Sequence, residues 1–305
     1  MHQPRSSQAV LGSVQTLLAD AIDYAGLFPP AGLSMPEAVI NFATYRNSNY
    51  SWMLGRFVVT AARLDEFREI AADFASRDGE RPWRVSVVIG ADVHQDLRNV
   101  EEFNIANSPG IFCDAVEIRA ETEALIENAS AALPNGASAF FELPLDDRLS
   151  DLVSSLALTG NNAKIRAGGL TPEAFPRTDQ MIRFVRTCLA ANVPFKATAG
   201  LHHPIRCFRP LSYENEAPMG TMHGFLNLFL MTGFARDRYR PTLLADVMEE
   251  EFGEVFRFED QSVTWRDQFT LNTTQIGLLR QRGIQSFGSC SFDEPIADLQ
   301  KLSVL

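Results

Sequence analysis

The chain has 305 residues, 46 % of them hydrophobic and 22 of them Phe, and a formal net charge of −11. That is enough apolar mass for a sizeable, largely aromatic core, in one large domain or two modest ones. Basic residues are spread without a run, which argues against nucleic acid or an anionic membrane as partner, since both need a positive patch.

Residues 1–10 are polar and lack the apolar heart of a signal peptide. No apolar stretch reaches the length of a membrane span. Cys113, Cys188, Cys207 and Cys290 show no CxxC spacing and read as reduced thiols, so a cytoplasmic location is expected, with neither disulfides nor a zinc cluster. Residues 8–21 have the spacing of an amphipathic helix. Residues 23–32 (DYAGLFPPAG) are expected to be a loop, because Pro29 and Pro30 can neither donate to a ladder nor sit inside a helix. Ser34 with Glu37 forms a capping box that opens a second helix through Tyr45. If that helix packs on a barrel, the Pro-Pro loop lies at the barrel's active-site face.

Beyond this helical extension (residues 1–50) a strand-then-helix unit repeats. Apolar, β-branched runs occupy residues 56–62, 84–91, 114–120, 138–144, 163–168 and 194–200, their starts 28, 30, 24, 25 and 31 residues apart. Segments with helical spacing lie between them, at 64–75, 121–133, 148–158 and 179–191. This rhythm means βαβ units and a parallel sheet. An α/β fold of the (β/α)8 TIM type over residues 56–305 is preferred to an open, doubly wound sheet. No GxGxxG turn follows the first strand, polar residues recur at the strand ends, and residues 284–288 (IQSFG) supply a last strand. The seventh strand is hard to place: 223–234 reads as a buried helix, and 254–265 as a strand or a hairpin about Asp260-Gln261.

Side chains alternate between the two faces of a strand. Glu117 and Arg119, Phe140 and Glu142, Lys164 and Arg166, and Lys196 and Thr198 each share a face, and the residues between them are apolar. The charged face is therefore the barrel interior. Buried charges cost several kcal/mol each unless paired, so this face is either a self-neutralising plug or a site. Its position towards the C-terminal strand ends favours a site. A lysine disfavoured as a cation by a second lysine could attack a carbonyl as the neutral amine. Lys196 is the candidate nucleophile and Lys164 the group that tunes it. Glu142 or Glu117 would move the proton, and Arg119 and Arg166 would hold a carboxylate or phosphate.

The run Phe195-Lys196-Ala197-Thr198-Ala199-Gly200 resembles the sixth-strand Lys-Thr-Ser-Thr-Gly motif of class I aldolases of the deoxyribose-phosphate aldolase type. The resemblance implies a Schiff base on Lys196. The chain departs from that family in having Glu117 where an aspartate stands, in lacking a clear seventh-strand lysine, and in continuing with His202-His203.

Adjacent histidines point apart, so one of His202 and His203 is expected at the site as acid, base or donor. Gly288, Ser289 and Cys290 follow the last strand, where barrels often bind phosphate. Ser291 and Glu294 can instead cap the final helix, and Cys290 is either a helix-end thiolate or a core filler. Gly168-Gly169 reads as close backbone approach or a plain turn, Asp92 as a helix cap, and His223 as a core or capping group. The reading is thus a lyase, aldolase-like and without cofactor or metal, for a small anionic carbonyl compound. A metal-assisted barrel enzyme using Glu117, Glu142 and a histidine is one alternative, and a non-catalytic small-anion-binding barrel another. A homo-oligomer is compatible with the sequence.

Overall fold

A computed structural model describes residues 10–76 and 80–305. The readings placed on residues 1–9 lie outside the described residues. Thirteen strands and eleven helices are described. The strands are β1 (Ile22–Tyr24), β2 (Leu54–Thr60), β3 (Trp83–Val88), β4 (Ile111–Arg119), β5 (Ser138–Glu142), β6 (Asn162–Arg166), β7 (Phe195–Thr198), β8 (Cys207–Pro210), β9 (Met219–Met222), β10 (Phe256–Glu259), β11 (Ser262–Trp265), β12 (Phe269–Asn272) and β13 (Ile284–Ser289). The helices are α1 (Gly12–Leu18), α2 (Met35–Arg46), α3 (Leu64–Ala71), α4 (Val93–Asn107), α5 (Glu123–Ala131), α6 (Leu149–Thr159), α7 (Thr178–Ala190), α8 (Phe225–Arg236), α9 (Pro241–Met248), α10 (Thr273–Arg282) and α11 (Asp293–Lys301).

Eight parallel strands close into one barrel in the order β1-β13-β7-β6-β5-β4-β3-β2, with helices between successive strands. The fold is a (β/α)8 TIM-type barrel. Aromatic packing fills the helix-facing layer beside β2 and β3: the ring centroid of Phe57 lies 4.8 Å from that of Phe67 and 5.4 Å from that of Phe42, and the Phe42 and Trp83 centroids are 4.9 Å apart.

Ile22–Tyr24 is not part of a loop in an extension but the first barrel strand, pairing with β13 on one side and β2 on the other. It is only three residues long, so its alternation is invisible in the sequence. The proline argument holds from Ala25 onwards, where the chain turns. Every later barrel strand consequently moves up by one, and the strand beginning at Phe195 is the seventh. No strand between β7 and β13 joins the barrel. Residues 201–272 instead form an excursion of two small antiparallel sheets, β8-β9 and β10-β11-β12, with α8 and α9 between them. Within it α8 is buried on nearly all sides, and β10 and β11 form a hairpin turning at Asp260-Gln261.

Local signals hold elsewhere. Ser34 and Glu37 form both halves of the capping box on α2. Asp92 accepts a hydrogen bond from the Gln95 backbone N–H at the start of α4. Ser291 Oγ accepts from the Glu294 backbone N–H at 3.1 Å, but α11 begins at Asp293 and the Glu294 side chain goes elsewhere. Among the described residues, no helix is long and apolar enough to cross a membrane.

Candidate active site

The register of the barrel places like charges side by side. Lys164 stands opposite Lys196 across β6 and β7, and Glu142 opposite Lys164 across β5 and β6. The repulsion between the lysines is relieved by Glu117 of β4, which gives one oxygen to each. Lys196 Nζ lies 2.7 Å from Glu117 Oε1, and Lys164 Nζ lies 2.7 Å from Glu117 Oε2. The series continues at both ends. Lys196 donates to Asp23 Oδ2 at 2.6 Å, and Lys164 lies 2.8 Å from Glu142 Oε2. Three acids and two lysines thus alternate in one line, Asp23–Lys196–Glu117–Lys164–Glu142.

Hydroxyl and backbone donors complete the buried end. Ser286 Oγ donates to Asp23 Oδ2 at 2.8 Å, the Arg56 backbone N–H to Asp23 Oδ1 at 2.9 Å, and Ser86 Oγ to Glu117 Oε1 at 2.8 Å. Such satisfaction is what permits ions in an apolar interior. Asp23, Arg56, Ser86 and Ser286 were not singled out from the sequence. Only Asp23 left a trace there, as an acid flanked by apolar residues two positions ahead of a turn.

Burial alone would raise the Glu117 carboxyl, but Lys164 and Lys196 outweigh it and hold it far below its ordinary 4.5. Asp23 behaves alike: burial is outweighed by Lys196 and Arg56, and its carboxyl stays below 3.8. Burial would lower Lys164, yet Glu117 and Glu142 prevail and raise it above 10.5. Lys164 is therefore an ammonium at neutral pH. The expectation that two neighbouring lysines would depress each other fails for Lys164, because a carboxylate lies between them.

The line runs from sealed to open. Asp23 and Lys196 have no exposure at all, Lys164 is 7 % exposed, and the Glu142 side chain is 21 % exposed. A cavity of about 380 Å³ lies over the C-terminal strand ends, and Glu117, Glu142 and Lys164 reach it while Lys196 does not. Lys196, the nucleophile expected from the sequence, is sealed beneath the cavity, and Lys164 is the lysine presented to it. Arg119 and Arg166 stand on the rim, exposed, with Arg119 in a 2.9 Å ion pair with Glu121.

The loop after β1 closes one side of the cavity with Ala25, Phe28, Pro29 and Pro30, at the face expected for it. Thr198 also lines the cavity, and its Oγ1 is buried without a hydrogen-bond partner. Gly168 and Gly200 let the loops after β6 and β7 touch: a Cβ on Gly168 would lie 2.9 Å from Gly200 Cα and 2.5 Å from Phe175. Gly288, Cys290 and His202 line the cavity, whereas Ser289, one residue out of phase, is buried outside it. The two histidines do point apart. His202 faces the cavity, and His203 Nδ1 sits 2.6 Å from Asp298 in a separate surface depression. His223 is a core group, its Nε2 2.7 Å from the Pro176 carbonyl. A larger groove of about 1120 Å³ along α6, α7 and α9 lies outside the barrel, and none of the candidate residues lines it.

The acids at the barrel centre are already engaged by lysines. Among the described residues, no group of three or more His, Cys, Asp and Glu is disposed to hold a metal ion. A scan against models of known protein families finds no match to this chain, and a search of curated proteins finds no similar sequence.

Proposed function

We propose that the barrel mouth is the active site of a lyase, aldolase-like in its chemistry, that acts on a small anionic carbonyl compound through a Schiff base on Lys164. The supporting observation is the Lys164–Glu142 pair, which reaches the cavity while Lys196 lies sealed below it. Glu142 Oε2 accepts the ammonium proton, and the freed amine adds to the carbonyl carbon. Glu142 returns that proton, and with one proton of the amine nitrogen it carries the carbonyl oxygen off as water, leaving an iminium cation. Glu117 and Glu142, which favour the ammonium, favour that cation for the same reason. Arg119 and Arg166 supply the charge that would hold a substrate carboxylate.

The aldolase resemblance now reads differently. With Ile22–Tyr24 as the first strand, Lys164 stands on the sixth strand and Lys196 on the seventh. The family's strand-six lysine thus corresponds to Lys164 by position, while the six-residue motif around Lys196 falls one strand later. Position and cavity access both favour Lys164.

Borohydride reduction in the presence of glyoxylate, pyruvate or acetaldehyde, followed by mass mapping, tests the reading. One reduced adduct is expected on Lys164, forming faster at pH 9 than at pH 7 because the free amine is scarcer at the lower pH. Glu142→Gln should slow trapping by about 10²-fold. An adduct on Lys196, or none on any lysine, would overturn the assignment. A small-anion-binding barrel is the second reading, favoured by the protonated state of Lys164 between two carboxylates. It requires retention of an acid without any trapped adduct.

A further inference from the structure

Three neighbouring strands, β7, β13 and β1, send their loops to one point above the cavity. Thr198 pairs with Gly288, and Gly288 with Asp23, across this part of the sheet. The residues just past these pairs are therefore brought together. Cys290 follows β13, His202 follows β7 and Ala31 follows β1. Cys290 Sγ lies 3.6 Å from His202 Nδ1 and accepts a hydrogen bond from the Ala31 backbone N–H. Glu294 Oε2 stands 3.7 Å from the same His202 nitrogen. The Tyr213 hydroxyl, from the excursion, donates to Glu294 at 2.8 Å and sits 3.8 Å from Cys290 Sγ.

From this convergence we propose that Cys290 is a second nucleophile of the cavity, independent of Lys164, with His202 as its base and the carbonyl carbon of a small anionic substrate as its target. A core-filling cysteine would be expected to resemble Cys113 and Cys188, which are wholly buried and line no cavity described above. Cys290 instead lines the cavity and has a base within reach.

The resting pair is neutral on both sides. Burial pushes the Cys290 thiol up, and burial pushes the His202 imidazole down despite Glu294. The thiol can then donate to an unprotonated Nδ1. In the reaction the sulfur gives its proton to His202 Nδ1 as the S–C bond forms. The carbonyl π pair moves to oxygen, and the imidazolium, held by Glu294, returns the proton there. The product is a hemithioacetal, formed reversibly without oxidant or reductant. The charged and titratable groups around the pair include Tyr24, His203, Tyr213 and Glu294.

Limited iodoacetamide alkylation of the folded protein, with mass mapping of its four cysteines, tests this proposal. Cys290, though only 5 % exposed, should react faster than the more exposed Cys207. His202→Gln should slow Cys290 by about tenfold or more and leave Cys207 unchanged. Continued protection of Cys113 and Cys188 shows that the variant is folded. Glyoxylate without borohydride should protect Cys290, and dilution should remove the protection. The proposal fails if Cys290 reacts no faster than Cys113 and Cys188, or if His202→Gln leaves its rate as it was. It also fails if glyoxylate gives an adduct on Lys164 but no protection at Cys290. Protection at Cys290 with no trapped lysine would support it and count against the Schiff-base reading instead.

Discussion

Each oxygen of Glu117 serves a different lysine, and this division explains why two ammonium groups can sit on adjacent strands. It also separates their tasks. Lys196, with carboxylates on both sides and no exposure, holds the acids in place, and Lys164 carries the charge to the cavity. Lys196→Met should therefore act on stability. It leaves Asp23 and Glu117 as uncompensated buried carboxylates, and urea denaturation should show a loss of about 3–5 kcal/mol. A loss below about 1 kcal/mol would mean that the acids find other partners. The charged face was legible in the sequence because Glu117, Glu142, Lys164 and Lys196 alternate with Ile118, Phe141, Ile165 and Ala197 on strands long enough to show a period. Which lysine is open was not legible. Depth along the barrel axis depends on the register between strands, and no single strand carries that information.

At the scale of elements, β2 must approach β1 closely for Asp23 to receive the Arg56 N–H. Gly55 permits it: a Cβ there would stand 2.5 Å from Asp23 Oδ1 and 3.2 Å from two backbone carbonyls of the segment containing β1. Gly288, at the cavity wall, has more room, with 3.3 Å to Thr198 Cγ2. Gly55→Ala should lower stability by roughly 1–3 kcal/mol through strain at β1. Gly288→Ala should leave stability nearly unchanged and weaken trapping of the larger carbonyl probes relative to glyoxylate. Equal effects in a denaturation series would refute this contrast. The strands from β2 to β7, and β13, were readable from their apolar runs. The excursion misled because β10, β11 and β12 also have strand-like composition, and only partner choice distinguishes an antiparallel hairpin from a barrel stave.

For the whole molecule, the ion line sets the response to pH. Asp23 and Glu117 have lower pKa values folded than unfolded, so their contribution is present above about pH 5 and is lost as the pH falls below 4 towards their folded values. Lys164 has a raised value, so its contribution is complete below 10.5 and is lost as the pH rises past that point. Urea midpoints should form a plateau between pH 6 and 9, with a steep acid limb that becomes shallower in Glu117→Gln. An acid limb of unchanged slope in that variant would place the sensitive carboxylates elsewhere.

Asp23 reaches across 173 residues to Lys196 and across 263 to Ser286. On the ribosome the acid is made first, and its partners follow only when most of the chain has emerged. Loop closure over such spans is slow, so the polar contacts of β1 are among the costly ones to form. Without Asp23, Lys196 would keep Glu117 as its one carboxylate partner among the described residues. The buried end of the ion line is thus complete only when β1, β7 and β13 have met.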